Sequence, residues 1–455
     1  MTGASSQRDA APGDAGRPHR SRTRTLLHRV GLAGRWAVVA IVLLLALIGF
    51  FYLTRGTAVR HVRGVGADGT PVAPAEPQFP LSVAVLTGTV LSSGNRVELA
   101  LDGNGTFPRL WDDLRSATTS ITVQSYYGMP GRVADTLRAI LTERARAGVR
   151  VFLLYDAFGT QAIPADHEAA LRRAGVRVAP FRPLRLSTLY VLQNRSHVRG
   201  IVVDGRVGWT GGFGIDDKWL GDGHTDGGWR ETNVRFEGPA VRQLQAAFAA
   251  AWTEATGVMV TGRATVDRYE NGVATAGLLN ASPTLGSTAA ERFLALSIAG
   301  ARTSLYVTNA YFAPDGNFVQ LLAESARRGV DVRLLVAGPR TDIHLARTAG
   351  RARYATLLAA GVRIFEWQPT TLHAKTFVVD GLWSSVGTMN FDNRSLALND
   401  EVTLMVLDPA FGQRMNEIFL RDLRFAREIT ADRFARRPWT EHVAEWGATL
   451  ITRLL

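Results

Sequence analysis

Most of this chain is one unit written twice, and that duplication constrains its fold more than any other feature. Ile121–Tyr127 (ITVQSYY) echoes Leu305–Tyr311 (LYVTNAY). Both read as buried strands, rich in β-branched and aromatic residues. ARAGVRVFLL at Ala145–Leu154 echoes ARRGVDVRLL at Ala326–Leu335, and LRRAGVRV at Leu171–Val178 echoes LLAAGVRI at Leu357–Ile364. In each, a helical pattern ends in a glycine suited to a C-terminal cap (Gly148 and Gly329 in the first pair), and a Val/Leu strand follows. A last pair, HVRGIVVDG at His197–Gly205 and HAKTFVVDG at His373–Gly381, closes the series. Four matched segments in one order indicate tandem duplication. Strand and helix alternate, so the expected class is α/β: two repeats, each a mixed, largely parallel sheet flanked by helices. The expected boundaries are 91–270 and 271–455.

Ahead of the repeats, Trp36–Thr54 runs 19 residues without a charge, between Arg35 and Arg55. At 1.5 Å per residue this is about 28 Å, close to the bilayer core. It has no polar stripe of the sort a buried core helix carries, so 36–54 is expected to be a transmembrane helix. A cleaved signal peptide fits less well, because the run is long and no small-x-small site follows. Residues 1–35 carry Arg8, Arg17, Arg20, Arg22, Arg24, Arg29 and Arg35 against Asp9 and Asp14. The positive-inside rule then puts the N-terminus in the cytoplasm of a single-pass protein of the cell membrane. Arg55, Arg60 and Arg63 on the far flank pull against that orientation. Residues 55–90, Gly-, Ala- and Pro-rich over 64–80, read as a linker.

Composition narrows the chemistry. With 46% hydrophobic and 20% charged residues the chain can bury cores, and a disordered class is excluded. It has no cysteine, hence no disulfide, no thiolate nucleophile and no Cys-ligated metal. The net charge is +12, and of 52 basic residues only Lys218 and Lys375 are lysine. Arginine suits phosphate, since its planar fork grips two oxygens, but here it is chiefly the chain's general way of writing a cation. A lysine that persists against this bias is worth locating.

In the second repeat His373, Lys375, Asp380, Gly387, Thr388 and Asn390 form H-x-K-x4-D-x6-G-T-x-N. Two positions apart on a strand, His373 and Lys375 point to one face. An imidazole beside an ammonium handles phosphate: the histidine attacks or moves a proton near neutral pH, and the lysine neutralises phosphoryl oxygens. Backbone N–H groups at Gly387 and Thr388, with the Asn390 amide, would complete an anion cradle. The first repeat offers His197, Arg199, Asp204, Gly211 and Gly212, and departs twice: Arg199 stands where Lys375 does, and Gly214 where Asn390 does. Arginine keeps the charge; the missing amide removes one donor.

These paired motifs resemble the phospholipase D superfamily. From about Gly94 to the end, the stretches FPRLWDDLRSATTSITVQSYY, GGWRETNVRFEGPAV, TNAYFAPD and LHAKTFVVDGLWSSVGTMNFDNRSLALNDEV look most like bacterial cardiolipin synthases. The resemblance implies that both motifs meet where the repeats join and that one histidine forms a covalent phosphohistidine while the other transfers protons. In that family the first-motif histidine is usually the nucleophile, which carries over to His197 with His373 as acid and base; sequence leaves the assignment open, because the two titrate together. Glu231 and Glu401 fall where the family has acids that orient the imidazoles. The implied reaction exchanges one phosphodiester for another, with phosphatidylglycerol as donor, no cofactor and no catalytic metal. The implied partners are a phospholipid substrate and the membrane, with no nucleic acid, on a monomer. A phospholipase D hydrolase, a nuclease and a non-catalytic lipid binder are the competing functions.

Weaker signals remain. Asp222, His224 and Asp226 alternate possible metal ligands, but GDGHTDGG reads as a solvated loop. Asp342 and His344 would line the acceptor side, or Asp342 would cap a helix. Trp439 and Trp446, beside Arg436 and Arg437, suit an interfacial helix on anionic lipid.

Overall fold

The computed structural model describes residues 20–53, 56–186, 191, 193–225, 227–261, 271–284 and 286–451. It divides into two units, 1–55 and 56–455. In the first, Arg20–Leu53 is helical. Side chains are described there for 35–51, and the large apolar ones from Trp36 to Phe51 are exposed. Among the described residues no helix is long and apolar enough to cross a membrane. The expected span 36–54 runs past them at its end, and the arginines of 1–34 also lie outside the described side chains.

The second unit is built on 15 strands: β1 (Ser92–Leu101), β2 (Ser120–Ser125), β3 (Arg150–Asp156), β4 (Arg177–Phe181), β5 (Gly200–Val203), β6 (Val207–Gly211), β7 (Thr232–Glu237), β8 (Ala274–Ala281), β9 (Ser304–Asn309), β10 (Asp331–Val336), β11 (Arg363–Trp367), β12 (Lys375–Val379), β13 (Trp383–Gly387), β14 (Glu401–Leu407) and β15 (Ala426–Ile429). They form one sheet, in the order β15-β11-β10-β9-β12-β13-β14-β8-β1-β7-β6-β5-β2-β3-β4. The order is palindromic about β8 and β1, with β15 as an extra edge strand, so the duplication in sequence is a duplication in space.

Two expectations need correcting. The repeats do not carry separate sheets: β1 pairs with β8 and joins them. Nor is the sheet largely parallel. Among the described residues only β2–β3, β3–β4, β9–β10 and β10–β11 are parallel pairs. Strand–helix–strand segments make those, and their helices end at Gly148, Gly175, Gly329 and Gly361, each left-handed with φ of 91–97°. The VVDG segments instead close tight hairpins, β5–β6 and β12–β13, which must be antiparallel.

Each repeat has its own apolar cluster, one around Ile121, Val151 and Trp209, the other around Phe293, Phe318 and Trp383. A third cluster draws on both: Val202, Val234, Phe236 and Leu244 of the first repeat with Leu278, Val386, Val402 and Leu404 of the second. The seam between the repeats is thus a hydrophobic core, where each buried Val or Leu contributes about 1.5–3 kcal/mol. Residues 56–90 are no free linker. Phe79–Thr87 is a helix whose Phe79 and Val83 are fully buried in the second repeat's core, and Thr57 donates its backbone N–H to Asp315 at 2.7 Å.

Candidate active site

The sheet brings the two histidines to one place. His197 stands three residues before β5 and His373 two before β12, and each is tied by its backbone to the opposite repeat. The His197 N–H donates to the Asp400 carbonyl at 2.9 Å, and the His373 N–H donates to that of Arg230 at 2.8 Å. Asp400 and Arg230 each sit one residue before a glutamate, so the side chains cross as well. His197 Nδ1 lies 2.9 and 3.0 Å from the two Glu401 oxygens, and His373 Nδ1 lies 2.6 Å from Glu231 Oε2. Every imidazole therefore takes its carboxylate from the other half, leaving Nε2 as the nitrogen free for chemistry.

Both rings line one pocket of about 450 Å³, together with Tyr126, Tyr127, Arg199, Lys218, Trp219, Trp229, Tyr311, Asp342, Asn390, Asp392 and Arg394. Aromatic edges frame the rings: Tyr126 is 5.0 Å from His197, and Trp229, Trp219 and Tyr311 are 5.0, 5.4 and 5.8 Å from His373. Burial, then the charge of Lys375 and Arg199, holds His373 well below the usual histidine range. Burial lowers His197 too, against the pull of Glu401. Burial thus favours the neutral form of both imidazoles, the form a nucleophile and a base need. Their acids differ. Burial pushes Glu231 up to about 7, whereas Glu401 is held low: burial opposes this, but His197, Thr388 and Ser395 outweigh it.

Arg199 is 3% exposed, and its Nε and Nη1 have no hydrogen-bond partner in the structure. A buried cation with idle donors on a pocket wall suits an anion. Asn390 also lines the pocket, where its amide Nδ2–H groups are the donors an anion would use. Lys375 stands behind the wall. Its ammonium donates to the His373 carbonyl, lies 5.6 Å from the Tyr311 ring, and is brought down to about 7 by burial.

Gly211, Gly212, Gly387 and Thr388, expected to cradle an anion through their N–H groups, sit behind the glutamates instead. The Thr388 N–H is spent on the Val402 carbonyl and its hydroxyl donates to Glu401 at 2.5 Å. A Cβ on Gly212 would stand 2.3 Å from Glu231, one on Gly211 2.2 Å from Asn233 and one on Gly387 2.4 Å from the Val402 carbonyl. Gly212 makes room for Glu231, while Gly211 and Gly387 admit the neighbouring strands. Where Thr388 serves Glu401, the Trp219 indole N–H serves Glu231 at 3.3 Å. The same indole explains Gly214: a Cβ there would stand 2.6 Å from its ring.

Asp204 and Asp380 also leave the expected catalytic set. Each lies seven residues past its histidine, roughly 20 Å along extended chain, at a left-handed hairpin corner. Asp204 accepts from the N–H groups of Thr118, Thr119 and Ser120, and Asp380 from those of Arg302, Thr303 and Ser304. They fasten the turns that open β2 and β9. Asp342 caps no helix; it accepts from the Tyr311 hydroxyl at 2.7 Å on the pocket rim, and His344 lies outside the lining. Asp222 closes its own turn through the N–H groups of His224 and Thr225, while the His224 ring packs on Trp367 and Phe425. Asp226 lies outside the described residues. Among the described residues no group of three or more His, Asp or Glu could hold a metal ion.

Two carboxylate-backed imidazoles facing one cation-lined pocket, on a duplicated sheet, define a protein of the phospholipase D-like class. The family described as cardiolipin synthase, PLD-like domain matches residues 294–423. A cardiolipin synthase of Geobacillus kaustophilus is 34% identical over 372 residues, covering 80% of this chain and 73% of its own length. Cardiolipin synthase A of Pseudomonas entomophila is 34% identical over 342 residues, 75% and 71% of the two chains. The crystal structure of a phosphatidylserine synthase from Haemophilus influenzae shares the fold, with TM-score 0.59 at 13% identity over 82% of this chain and 99% of that one. The chain belongs to the cardiolipin synthase family.

Proposed function

We propose that the protein is a membrane-anchored phosphatidyltransferase that makes cardiolipin-type lipid from phosphatidylglycerol. The observation that carries this is the crossed pair: two buried imidazoles on one pocket, each held at Nδ1 by a glutamate of the other repeat. His197 Nε2 attacks the phosphorus, and neutral His373 gives its Nε2 proton to the departing glycerol oxygen while taking the proton of Glu231 at Nδ1. His373, its Nε2 now bare, takes the proton of an incoming lipid hydroxyl as its oxygen attacks and returns the Nδ1 proton to Glu231; the P–N bond breaks and His197 is restored. One phosphodiester replaces another, so no energy-supplying cofactor is required. Ionised Glu401 suits the nucleophile's partner, because it steadies the positive charge that forms on His197. Glu231, near 7, suits the proton-transfer side. Arg199 and Asn390 take the place of a backbone cradle and hold phosphoryl oxygens.

Both histidines and both acids lie on one chain, which favours action as a monomer of two repeats, 91–270 and 271–455. A membrane helix at 36–54, with the N-terminus cytoplasmic, would keep the pocket near its substrate. The exposed Trp36–Phe51 face supports the first part of that reading. Trp439, Val443 and Trp446, exposed on the helix Trp439–Ile451, fit contact with a lipid surface.

The test is purified protein in detergent with phosphatidylglycerol. Release of glycerol with formation of cardiolipin is expected. Phosphatidic acid as sole product would make the protein a hydrolase; DNA cleavage without lipid turnover would make it a nuclease. No turnover at all would leave a lipid-binding protein.

A further inference from the structure

Of the chain's two lysines, Lys218 lines the pocket and Lys375 stands behind its wall. Lys375 belongs to the second histidine motif; Lys218 has no assigned task. It follows His197 by 21 residues, as Arg394 follows His373, and both line the pocket. Lys218 Nζ is enclosed by three rings, 3.8 Å from the centroid of Tyr127, 4.2 Å from Trp229 and 4.7 Å from Trp219. Its nearest carboxylate, Asp216, stands off at 3.7 Å, beyond the 2.7–2.9 Å of a charge-assisted hydrogen bond. The aromatic box orders a side chain that is otherwise flexible, and it leaves the ammonium with donors to give.

Two walls of that box, Trp219 and Trp229, are also the walls of His373. Lys218 therefore sits on the side of the pocket where, on the reading above, the incoming alcohol loses its proton. If that alcohol is a phosphatidylglycerol, its own phosphate arrives with it, one glycerol away from the attacking oxygen. The first phosphate already occupies Arg199 and the histidines, so the second needs a separate cation within reach.

We propose that Lys218, in its box of Tyr127, Trp219 and Trp229, binds the phosphate of the acceptor and so selects a phosphate-bearing alcohol over water or a neutral alcohol. This rests on the transferase reading and adds the acceptor's class. Burial lowers the pKa of Lys218, and an arriving phosphate would favour its charged form.

The test uses the full-length protein in phosphatidylglycerol micelles, with three acceptor arms: phosphatidylglycerol itself, labelled glycerol 3-phosphate and labelled glycerol. The second carries the phosphate without acyl chains; the third carries neither. In Lys218→Gln, transfer to either phosphate-bearing acceptor should fall about tenfold relative to glycerol exchange, the worth of one charge-assisted hydrogen bond. The apparent KM for glycerol 3-phosphate should rise, and Lys218→Arg should recover most of the ratio. A loss confined to phosphatidylglycerol would mean that lipid packing and not the anion is recognised, which overturns the proposal. So would an unchanged ratio, or an equal loss in all arms. Ratios within one preparation are insensitive to a partly folded sample. Wild-type protein that turns over no phosphatidylglycerol would overturn the transferase reading itself.

Discussion

Replacing Glu401 by glutamine should disable a histidine 204 residues away in the other repeat. The substitution keeps the shape and removes the charge. In the native site both Glu401 oxygens reach His197 Nδ1, at 2.9 and 3.0 Å, with the Thr388 hydroxyl at 2.5 Å and almost no exposure to water. As His197 bonds to phosphorus it becomes positive, and the carboxylate strengthens its hold. A charge-assisted hydrogen bond of this type is worth about 2–3 kcal/mol, which is roughly 30- to 150-fold in rate. Coulomb attraction at this separation sets an upper bound of about 5.5 kcal/mol at an effective dielectric of 20. Rapid-quench kinetics with labelled phosphatidylglycerol separate formation of the covalent intermediate from its breakdown. Glu401→Gln should slow formation by that factor. Glu231→Gln, which touches His373, should slow both formation and breakdown, because His373 moves a proton in each step. If the two variants exchange effects, each acid serves the histidine of its own repeat and the crossed pairing is wrong.

Lys375 deprotonates near pH 7, because burial disfavours its charged form. The free enzyme loses that cation as pH rises, so kcat/KM should decline through about pH 7, and Lys375→Arg should flatten this limb of the pH profile. Gly214→Asn, which makes the first motif match the second, should not improve the enzyme. Its Cβ would meet the Trp219 ring at 2.6 Å, and urea unfolding should register a loss of about 1–3 kcal/mol. Asp204→Asn keeps a residue tolerant of the left-handed corner but weakens bonds to Thr118, Thr119 and Ser120. It should cost about 2 kcal/mol of stability while kcat moves less than twofold, whereas His197→Ala should abolish turnover.

Local pattern carried much of this architecture. Helix, glycine and strand recur because a left-handed cap at Gly148 or Gly329 needs glycine wherever it occurs. The histidine motifs stand out because they bear polar groups in otherwise apolar strands. What neighbours along the chain do not encode is who crosses to whom. That Glu401 serves His197 depends on β14 lying across the seam, a long-range pairing with no trace at either position. The same holds for the β1–β8 junction. The hairpins had a local signature, since VVDG before Arg206 or Leu382 is turn chemistry, yet the strand–helix alternation outweighed it in the expectation of a parallel sheet. Gly214 looked like a lost donor because the compensating indole, Trp219, sits five positions later and carries no motif. The backbone cradle misled for a related reason: Gly212 and Gly387 are small to admit neighbouring side chains, a demand that spacing alone resembles but does not distinguish. The pocket aromatics Tyr126, Tyr311 and Trp229 carry no signal of their own in the sequence, since rings are common in cores.

The exchange of acids between halves has a consequence for biosynthesis. A ribosome that has released everything up to the first motif has made a nucleophile without its base, and the base is encoded near the far end of the message. Until residue 401 has emerged and its strand has closed onto the earlier half, the nascent polypeptide holds an imidazole with nothing to steady its charge. A product that stops before residue 401 therefore lacks the group that steadies its nucleophile.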